Sequence, residues 1–310
     1  MLHVVVLGAA AGGGFPQWNS NDVTARRARA GDPKATPQTQ SSIAVSADGT
    51  RWAVLNASPD LRQQIFDRHQ LHPAADAPLR ASPIAAVVAT NADVDHVAGL
   101  LNLRESQPFV LYAHPRVLGV LAKNSIFNVL NAAYVSRRAL PLEQTVALSD
   151  QAGADLGITV KAFVVPGKIA LWLEDPTLPD FGSGPGDTIG LEISTPGSPS
   201  FFYIPGVSEF PVDLAQRLRS AAMVFFDGTL WRDDEMILAG VGVKTGQRMG
   251  HMSCSGPNGT IAAFADLGVK RKIFIHINNT NPLLVADSPE RAEAARAGWE
   301  VAFDGMEINL

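Results

Sequence analysis

Residues 90–96, with the sequence TNADVDH, constrain the fold and chemistry of this chain more than any other segment. They follow the apolar, β-branched run 84–89, which predicts a buried strand, and they precede residues 97–103, which predict the start of a helix. Loops at strand ends commonly present ligands. Asp95 and His96 could therefore reach one cation. An equally good interpretation is that the acidic residues only cap the helix.

Two later residues favour the metal interpretation. Asp227 ends the apolar run 223–227, and His276 follows the apolar run 272–275. Each has an ordinary explanation alone, since Asp before Gly is typical of turns and a strand-end His is commonly structural. Together with Asp95 and His96 they form a set of oxygen and nitrogen donors that predicts a metal site.

The motif has the frame of the metallo-β-lactamase superfamily, T-H-x-H-x-D-H, with Asn91 and Asp93 in place of the leading histidines. Residues 250–253 resemble the His-Ser-Thr segment of the branch that holds ribonuclease Z and the phosphonate-pathway phosphodiesterase. Residues 7–19, 56–62 and 276–282 are similar to the coenzyme PQQ synthesis protein B family, end to end. The resemblance implies one domain over residues 1–310 with an α/β (α+β) fold, a four-layer αββα sandwich.

The resemblance also implies a ligand inventory. The positions of the first superfamily metal hold Asn91, Asp93 and Lys168, and a lysine ammonium has no lone pair to donate. We therefore expect that position to be empty. The ligands of the second metal are all retained, which predicts one divalent metal per chain, with Fe(II) favoured and Zn(II) possible. These ligands are Asp95, His96, Asp227 and His276.

A single metal lacks the two-ion clamp of typical metallohydrolases, which favours oxidation over hydrolysis. The resemblance implies a part in pyrroloquinoline quinone (PQQ) biosynthesis, as an iron-dependent hydroxylase or oxygenase of the tyrosine ring in a cross-linked Glu-Tyr precursor. The substrate would be a small-molecule or peptide-derived diamino acid. Two alternatives stay open: a non-catalytic carrier of PQQ or its precursor towards the periplasm, and a metal-dependent hydrolase of a pathway intermediate.

Four further residues are candidates for the site, each with an ordinary alternative. His251 is a proton donor or substrate partner, or a helix-start histidine bonded to backbone. Asp93 orients His96 or a metal-bound water, or is itself a ligand. Lys168 pairs with a substrate carboxylate, or is a solvated loop lysine. Asn278 belongs to a substrate cradle, or to a turn network.

Composition limits the partners. The net charge of −5, without a basic run, gives no footprint for nucleic acid. The sequence shows no signal peptide and no apolar stretch of about 18 residues, so we expect no membrane association and a cytoplasmic location. Cys254 is the only cysteine, and residues 19–23 lack the cysteines that hold a structural zinc in many family members. A homodimer stays possible.

Hydrophobic periodicity predicts alternating strands and helices, with the loop 175–187 as either a lid or a surface connection. The glycine run 12–14 lacks the spacing of a phosphate-binding loop and is predicted to lie near the site. The predicted strands are 4–7, 42–46, 51–56, 84–89, 109–113, 159–165, 189–194, 201–204, 223–227 and 272–275. The predicted helices are 59–69, 116–123, 259–266 and 289–297.

Overall fold

The computed structural model describes residues 1–310 and contains two seven-stranded sheets. The strands, in chain order, are His3–Gly8 (β1), Ser42–Ser46 (β2), Trp52–Leu55 (β3), Ile84–Ala89 (β4), Phe109–Ala113 (β5), Val135–Ala139 (β6), Thr145–Ser149 (β7), Asp155–Val164 (β8), Ile189–Ser194 (β9), Phe201–Ile204 (β10), Met223–Asp227 (β11), Arg271–Ile275 (β12), Trp299–Val301 (β13) and Glu307–Asn309 (β14).

One sheet has the order β14, β1, β2, β3, β4, β5, β6, and the other has the order β13, β12, β11, β10, β9, β8, β7. In each sheet one half is antiparallel, whereas β3 to β6 and β10 to β13 are parallel. The first and last strands of the chain, β1 and β14, pair with each other. Both termini therefore complete the same sheet.

Most of the helices contribute buried residues to the cores on the outer faces of the sheets. The α-helices are Val23–Arg29 (α1), Leu61–Asp67 (α2), Val94–Val97 (α3), Pro115–Lys123 (α4), Val212–Leu218 (α5), Glu235–Leu238 (α6), Thr260–Ala263 (α7) and Pro289–Arg296 (α8). Short 3-10 helices lie at His69–Leu71, Ala98–Leu103, Ser125–Val129, Leu171–Leu173, Pro179–Gly182, Gln247–Met249 and Pro282–Leu284. None of these helices is both long and apolar enough to cross a membrane.

Side-chain alternation explains the layers. In β11, Phe225 lies in the core between the sheets, whereas its neighbour Phe226 lies in the outer core with Leu214 of α5. The same alternation places Val4 of β1 inside and Val5 outside. Successive residues of a strand point to opposite faces of the sheet. A strand with apolar residues on both faces must therefore be packed against another layer on each side. The predicted four-layer αββα sandwich is confirmed.

All ten predicted strands are present. Four further strands were not predicted, and several helix bounds differ from the predictions. The missed strands are β6, β7, β13 and β14. The predicted helix 259–266 is wrong in length, because regular helix ends at Ala263. The predicted helix 59–69 is interrupted at Arg68, whose backbone is extended (φ −122°, ψ 100°). The helix expected over residues 97–103 is a 3-10 helix from Ala98 to Leu103, and the short α-helix before it, α3, includes Asp95 and His96.

Candidate metal centre

The predicted ligands converge at one edge of the sandwich because they follow parallel strands. His96 lies in α3, which follows β4; Asp227 ends β11, and His276 follows β12. The carboxyl ends of parallel strands lie at the same edge of a sheet, and ligand sites of α/β proteins collect there. Two groups of metal-competent side chains result, and His276 belongs to both.

The first group contains Asp95, His96 and His276, whose donor atoms all lie within 4.8 Å of one another. Asp95 Oδ2 lies 3.0 Å from His276 Nε2 and 4.0 Å from His96 Nε2. The two imidazole rings meet edge to face, with centroids 5.2 Å apart. Two imidazole nitrogens and one carboxylate are a common ligand set for zinc and for non-haem iron.

Asn91 fixes the orientation of His96. Its Oδ1 accepts the backbone N–H of Asp93 at 3.0 Å, so this atom is the amide oxygen. The same oxygen lies 2.7 Å from His96 Nδ1, which must therefore carry the hydrogen. The lone pair of His96 is then on Nε2, a buried atom without any hydrogen-bond partner. An orphaned buried nitrogen beside a carboxylate fits a metal ion.

The Thr229 hydroxyl fixes the orientation of the His276 ring through its Nδ1 atom. The Thr229 hydroxyl lies 2.6 Å from Asp227 Oδ1 and 2.8 Å from His276 Nδ1. A carboxylate only accepts, so the hydroxyl donates to Asp227 and accepts from His276. His276 itself has φ 61°, the left-handed region that is rare for residues other than glycine. Nε2 of His276 is thereby placed beside Asp95.

The second group contains Asp227, His251 and His276. The Asp227 carboxylate accepts hydrogen bonds from the backbone N–H groups of Val207 and Thr229, from the Thr229 hydroxyl, and from His251 Nδ1 at 2.7 Å. These contacts occupy both oxygens. Asp227 is not part of the first group, and His276 is the residue that the two groups share. The role of Asp227 as a metal ligand stays a prediction.

Electrostatics keep the carboxylate charged and one imidazole neutral. Burial alone would raise the pKa of Asp95, but His96 and the hydrogen bond from His276 outweigh it and hold that pKa below its usual range. Burial lowers the pKa of His96 to about 4, so its ring is neutral at pH 7. An ionised carboxylate beside a neutral imidazole is the protonation state that binds a cation.

A cavity of about 320 Å³ opens onto this cluster. Every predicted site residue except the fully buried Asp227 lines it, including Lys168, so this lysine is not a solvated loop residue. Gly12 of the glycine run lines it as well, and a Cβ there would lie 3.4 Å from Asp95 Oδ2. The predicted position of the glycine loop near the site is confirmed. The other lining residues are Ala11, Gln17, Asn91, Leu171, Thr229, Met236, Lys244 and Met249.

The predicted roles of three residues can be compared with their contacts. The Asp93 carboxylate makes no hydrogen bond with the His96 ring, whose Nδ1 bonds to Asn91; it accepts the Leu171 N–H at 3.1 Å, and only the Asp93 backbone carbonyl accepts the His96 N–H. His251 bonds to the Asp227 carboxylate and not to backbone. Asn278 donates to the Thr280 hydroxyl at 2.7 Å, as expected for a turn network, while it also lines the cavity.

The loop 175–187 contributes no residue to the cavity wall, which favours its interpretation as a surface connection. The preceding segment covers the site: Leu171 bonds to Asp93, and Trp172 Nε1 donates to the Ala92 carbonyl at 3.3 Å. Arg116 holds the far end of the loop through both Asp187 carboxylate oxygens, at 2.7 and 2.6 Å.

Hydrogen bonds hold residues 19–23, the segment in which many family members have zinc-binding cysteines. Asn279 accepts from the backbone N–H of Gln17 at 2.8 Å and donates to Ser20 and Asp22. Asp22 also caps α1 by accepting from the backbone N–H of Ala25. This network ties the N-terminal loop to the loop after His276.

A family model described as a beta-lactamase superfamily domain matches residues 51–277. Coenzyme PQQ synthesis protein B of Gluconacetobacter diazotrophicus is 57% identical over 308 residues, with 99% of each chain covered. The same protein of Xanthomonas euvesicatoria pv. vesicatoria is 52% identical over 309 residues, with 100% of each covered. The chain belongs to the coenzyme PQQ synthesis protein B family.

Solved structures agree with this assignment. Zn(2+)-bound PqqB from Methylobacterium extorquens matches with a TM-score of 0.93 and 49% identity, covering 99% of this chain and 100% of that one. A diphosphatase of the PhnP family matches with a TM-score of 0.69 at 18% identity, over 99% and 96% of the two chains. The latter shows the shared metallo-β-lactamase fold alone. Membership of the family assigns the chain to PQQ biosynthesis.

Proposed function

We propose that this chain is a mononuclear, metal-dependent hydroxylase of PQQ biosynthesis. Its substrate would be the tyrosine ring of a cross-linked glutamate–tyrosine diamino acid. The observation that carries the proposal is the buried, unpartnered Nε2 of His96 beside the ionised Asp95, at the floor of a cavity of about 320 Å³. Such an arrangement is costly unless a cation completes it.

Asp95, His96 and His276 would hold the metal, with Asp227 as a further predicted ligand. Bound Fe(II) would supply the redox chemistry that activates dioxygen, whereas bound Zn(II) has no redox chemistry. The zinc-bound relative supports metal binding in the family and leaves the preference for iron as part of the proposal.

The remaining cavity residues suit an aromatic substrate with carboxylates. Leu171, Met236 and Met249 provide an apolar wall, and methionine sulfur packs well against aromatic rings. Lys168 and Asn278 provide polar contacts for the substrate's charged groups. The Nδ1–H of His251 is committed to Asp227, so its Nε2 carries a lone pair that can accept the proton of a phenol.

Hydrolysis is the less favoured chemistry. A two-metal hydrolase needs a second cation about 3.5–4 Å from the first. The only other group that offers donors, Asp227 with His251 and His276, is joined by internal hydrogen bonds. The other alternative, a non-catalytic carrier, would bind PQQ without converting it to a product.

The test compares metals and ligand variants. The protein is loaded anaerobically with Fe(II) or Zn(II), then given the diamino acid, dioxygen and a two-electron reductant. One oxygen atom enters the ring and the other leaves as water. We expect hydroxylated product with iron alone, and none with His276→Ala, which loses a ligand. Product from the zinc-loaded protein or from His276→Ala would overturn the proposal, and tight PQQ binding without turnover would favour the carrier.

A further inference from the structure

Two lysine ammonium groups line the cavity, and their surroundings differ. Lys168 Nζ lies 3.5 Å from Glu174 Oε1 and donates to the Ile169 carbonyl at 3.3 Å. Lys244 also lines the cavity, but its ammonium group forms no ion pair within 4.0 Å and no hydrogen bond; Glu174 lies near enough for the Lys244 charge to help lower the pKa of that carboxylate without direct contact. Lys244 is half-buried, so its charge is only partly solvated. A cation in this state gains more from a new anion than one that is already paired.

Glu174 is shared between two cations. Its carboxylate is 10% exposed, and Arg248 binds both of its oxygens, at 3.1 and 2.7 Å. Arg248 in turn stacks over the Phe181 ring, 3.9 Å from its centroid. Glu174 and its partners Lys168 and Arg248 therefore form a fixed part of the wall, and a substrate carboxylate must compete with Glu174 for Lys168.

We infer that Lys244 is the specificity-determining residue that binds a carboxylate of the substrate, with Lys168 in a secondary role. The inference rests on the proposed function, because it takes a multiply charged carboxylic acid as the ligand. Lys244 and the apolar residues Met236 and Met249 line the same cavity, so a ring and its acidic arm can be bound together. The site then selects an aromatic acid over its amide.

The experiment measures binding without turnover. Zinc-loaded protein is titrated by calorimetry with the ring-linked glutamate–tyrosine diamino acid, and with analogues in which each carboxylate in turn is a carboxamide. The variants are Lys244→Gln, Lys168→Gln and, as a matched control on the exposed end of α4, Lys123→Gln. Glu174→Gln releases Lys168 from its carboxylate partner.

We expect Lys244→Gln to weaken binding of the diamino acid about tenfold and to remove the discrimination against one carboxamide analogue. Lys168→Gln should have the smaller effect, Lys123→Gln none, and Glu174→Gln should tighten binding through Lys168. The inference is overturned if Lys244→Gln retains full discrimination against every analogue, or if Lys168→Gln is the more damaging change. Failure of the wild type to bind the diamino acid would instead overturn the proposed function.

Discussion

The Oδ1 atom of Asn91 lies 2.7 Å from His96 Nδ1 and determines which nitrogen of that ring is free. Because the same oxygen accepts the Asp93 N–H, the amide cannot be turned without loss of a hydrogen bond. Asn91 occupies a position where the superfamily motif has a metal-binding histidine. In this chain the residue at that position orients His96, which we propose as a ligand of the other metal site.

Asn91→Ala removes the acceptor of His96 Nδ1–H, so the ring can rotate or change tautomer. We expect the affinity for a divalent metal to fall by about 10- to 100-fold, the range found for lost supports of metal-bound histidines. Competition with a chromophoric chelator measures the change. Asn91→Asp keeps an acceptor and should retain most of the affinity; wild-type affinity in Asn91→Ala would contradict the role assigned to this residue.

Thr229→Val tests the hydroxyl that joins Asp227 to His276. Valine has nearly the same shape but leaves His276 Nδ1 and one Asp227 oxygen short of a partner. We expect a loss of about 1–3 kcal/mol in the free energy of unfolding, measured by urea denaturation, together with weaker metal binding. Thr229→Ser keeps the hydroxyl and is the control. Equal stability of the valine and serine variants would show that the hydroxyl contributes nothing.

His251→Gln separates proton transfer from metal binding. His251 is bonded to Asp227 and lines the cavity, but it is not part of the Asp95 group. We expect kcat to fall about 10²-fold or more, the usual contribution of general acid–base catalysis, while the metal content stays at the wild-type level. Metal analysis and steady-state rates on the same preparation decide the matter. Loss of the metal in this variant would instead make His251 a ligand.

The network around Asp22 makes stability depend on pH. Burial alone would raise the pKa of Asp22, but hydrogen bonds from Ser20, Ala25, Thr24 and Asn279 outweigh it and lower the pKa to about 2. The ionised form therefore stabilises the fold above about pH 4, and this contribution is lost as the pH falls towards 2.

Asp22→Ala should lower the free energy of unfolding by about 1 kcal/mol at pH 7, the usual value of an N-cap. The difference from wild type should shrink below about pH 4, as followed by denaturation across pH. Asp213→Ala, at an exposed first-turn position of α5 without a side-chain hydrogen bond, is the control and should change little. A pH-independent difference for Asp22→Ala would contradict the electrostatic origin.

The sequence predicted the parts of the site that depend on strand order. Asp95, His96 and His276 follow apolar runs that become β4 and β12, and parallel strands bring such ends together. The strands β6, β7, β13 and β14 were missed because their burial is set by position in the sheet. In β6, for example, only Val135 is fully buried and two residues are exposed, so no clear periodicity results.

Roles that depend on side-chain direction could not be predicted. Asn91 stood in the motif as a lost ligand, and only the distance to His96 Nδ1 shows its support of that ring. Thr229 lies two residues after Asp227, which is a weak signal for a shared hydroxyl. Lys244 belongs to none of the motifs and enters the site only through the folded segment after α6.

We propose that a metal held by Asp95, His96 and His276 serves to add oxygen to an aromatic ring. The most direct test is a single-turnover reaction of the Fe(II)-loaded protein with the glutamate–tyrosine diamino acid and a two-electron reductant under ¹⁸O₂, followed by mass spectrometry. We predict one ¹⁸O atom in the ring of the product, absent from the zinc-loaded control. Product that takes its oxygen from H₂¹⁸O, or a substrate recovered unchanged with iron bound, would contradict the account.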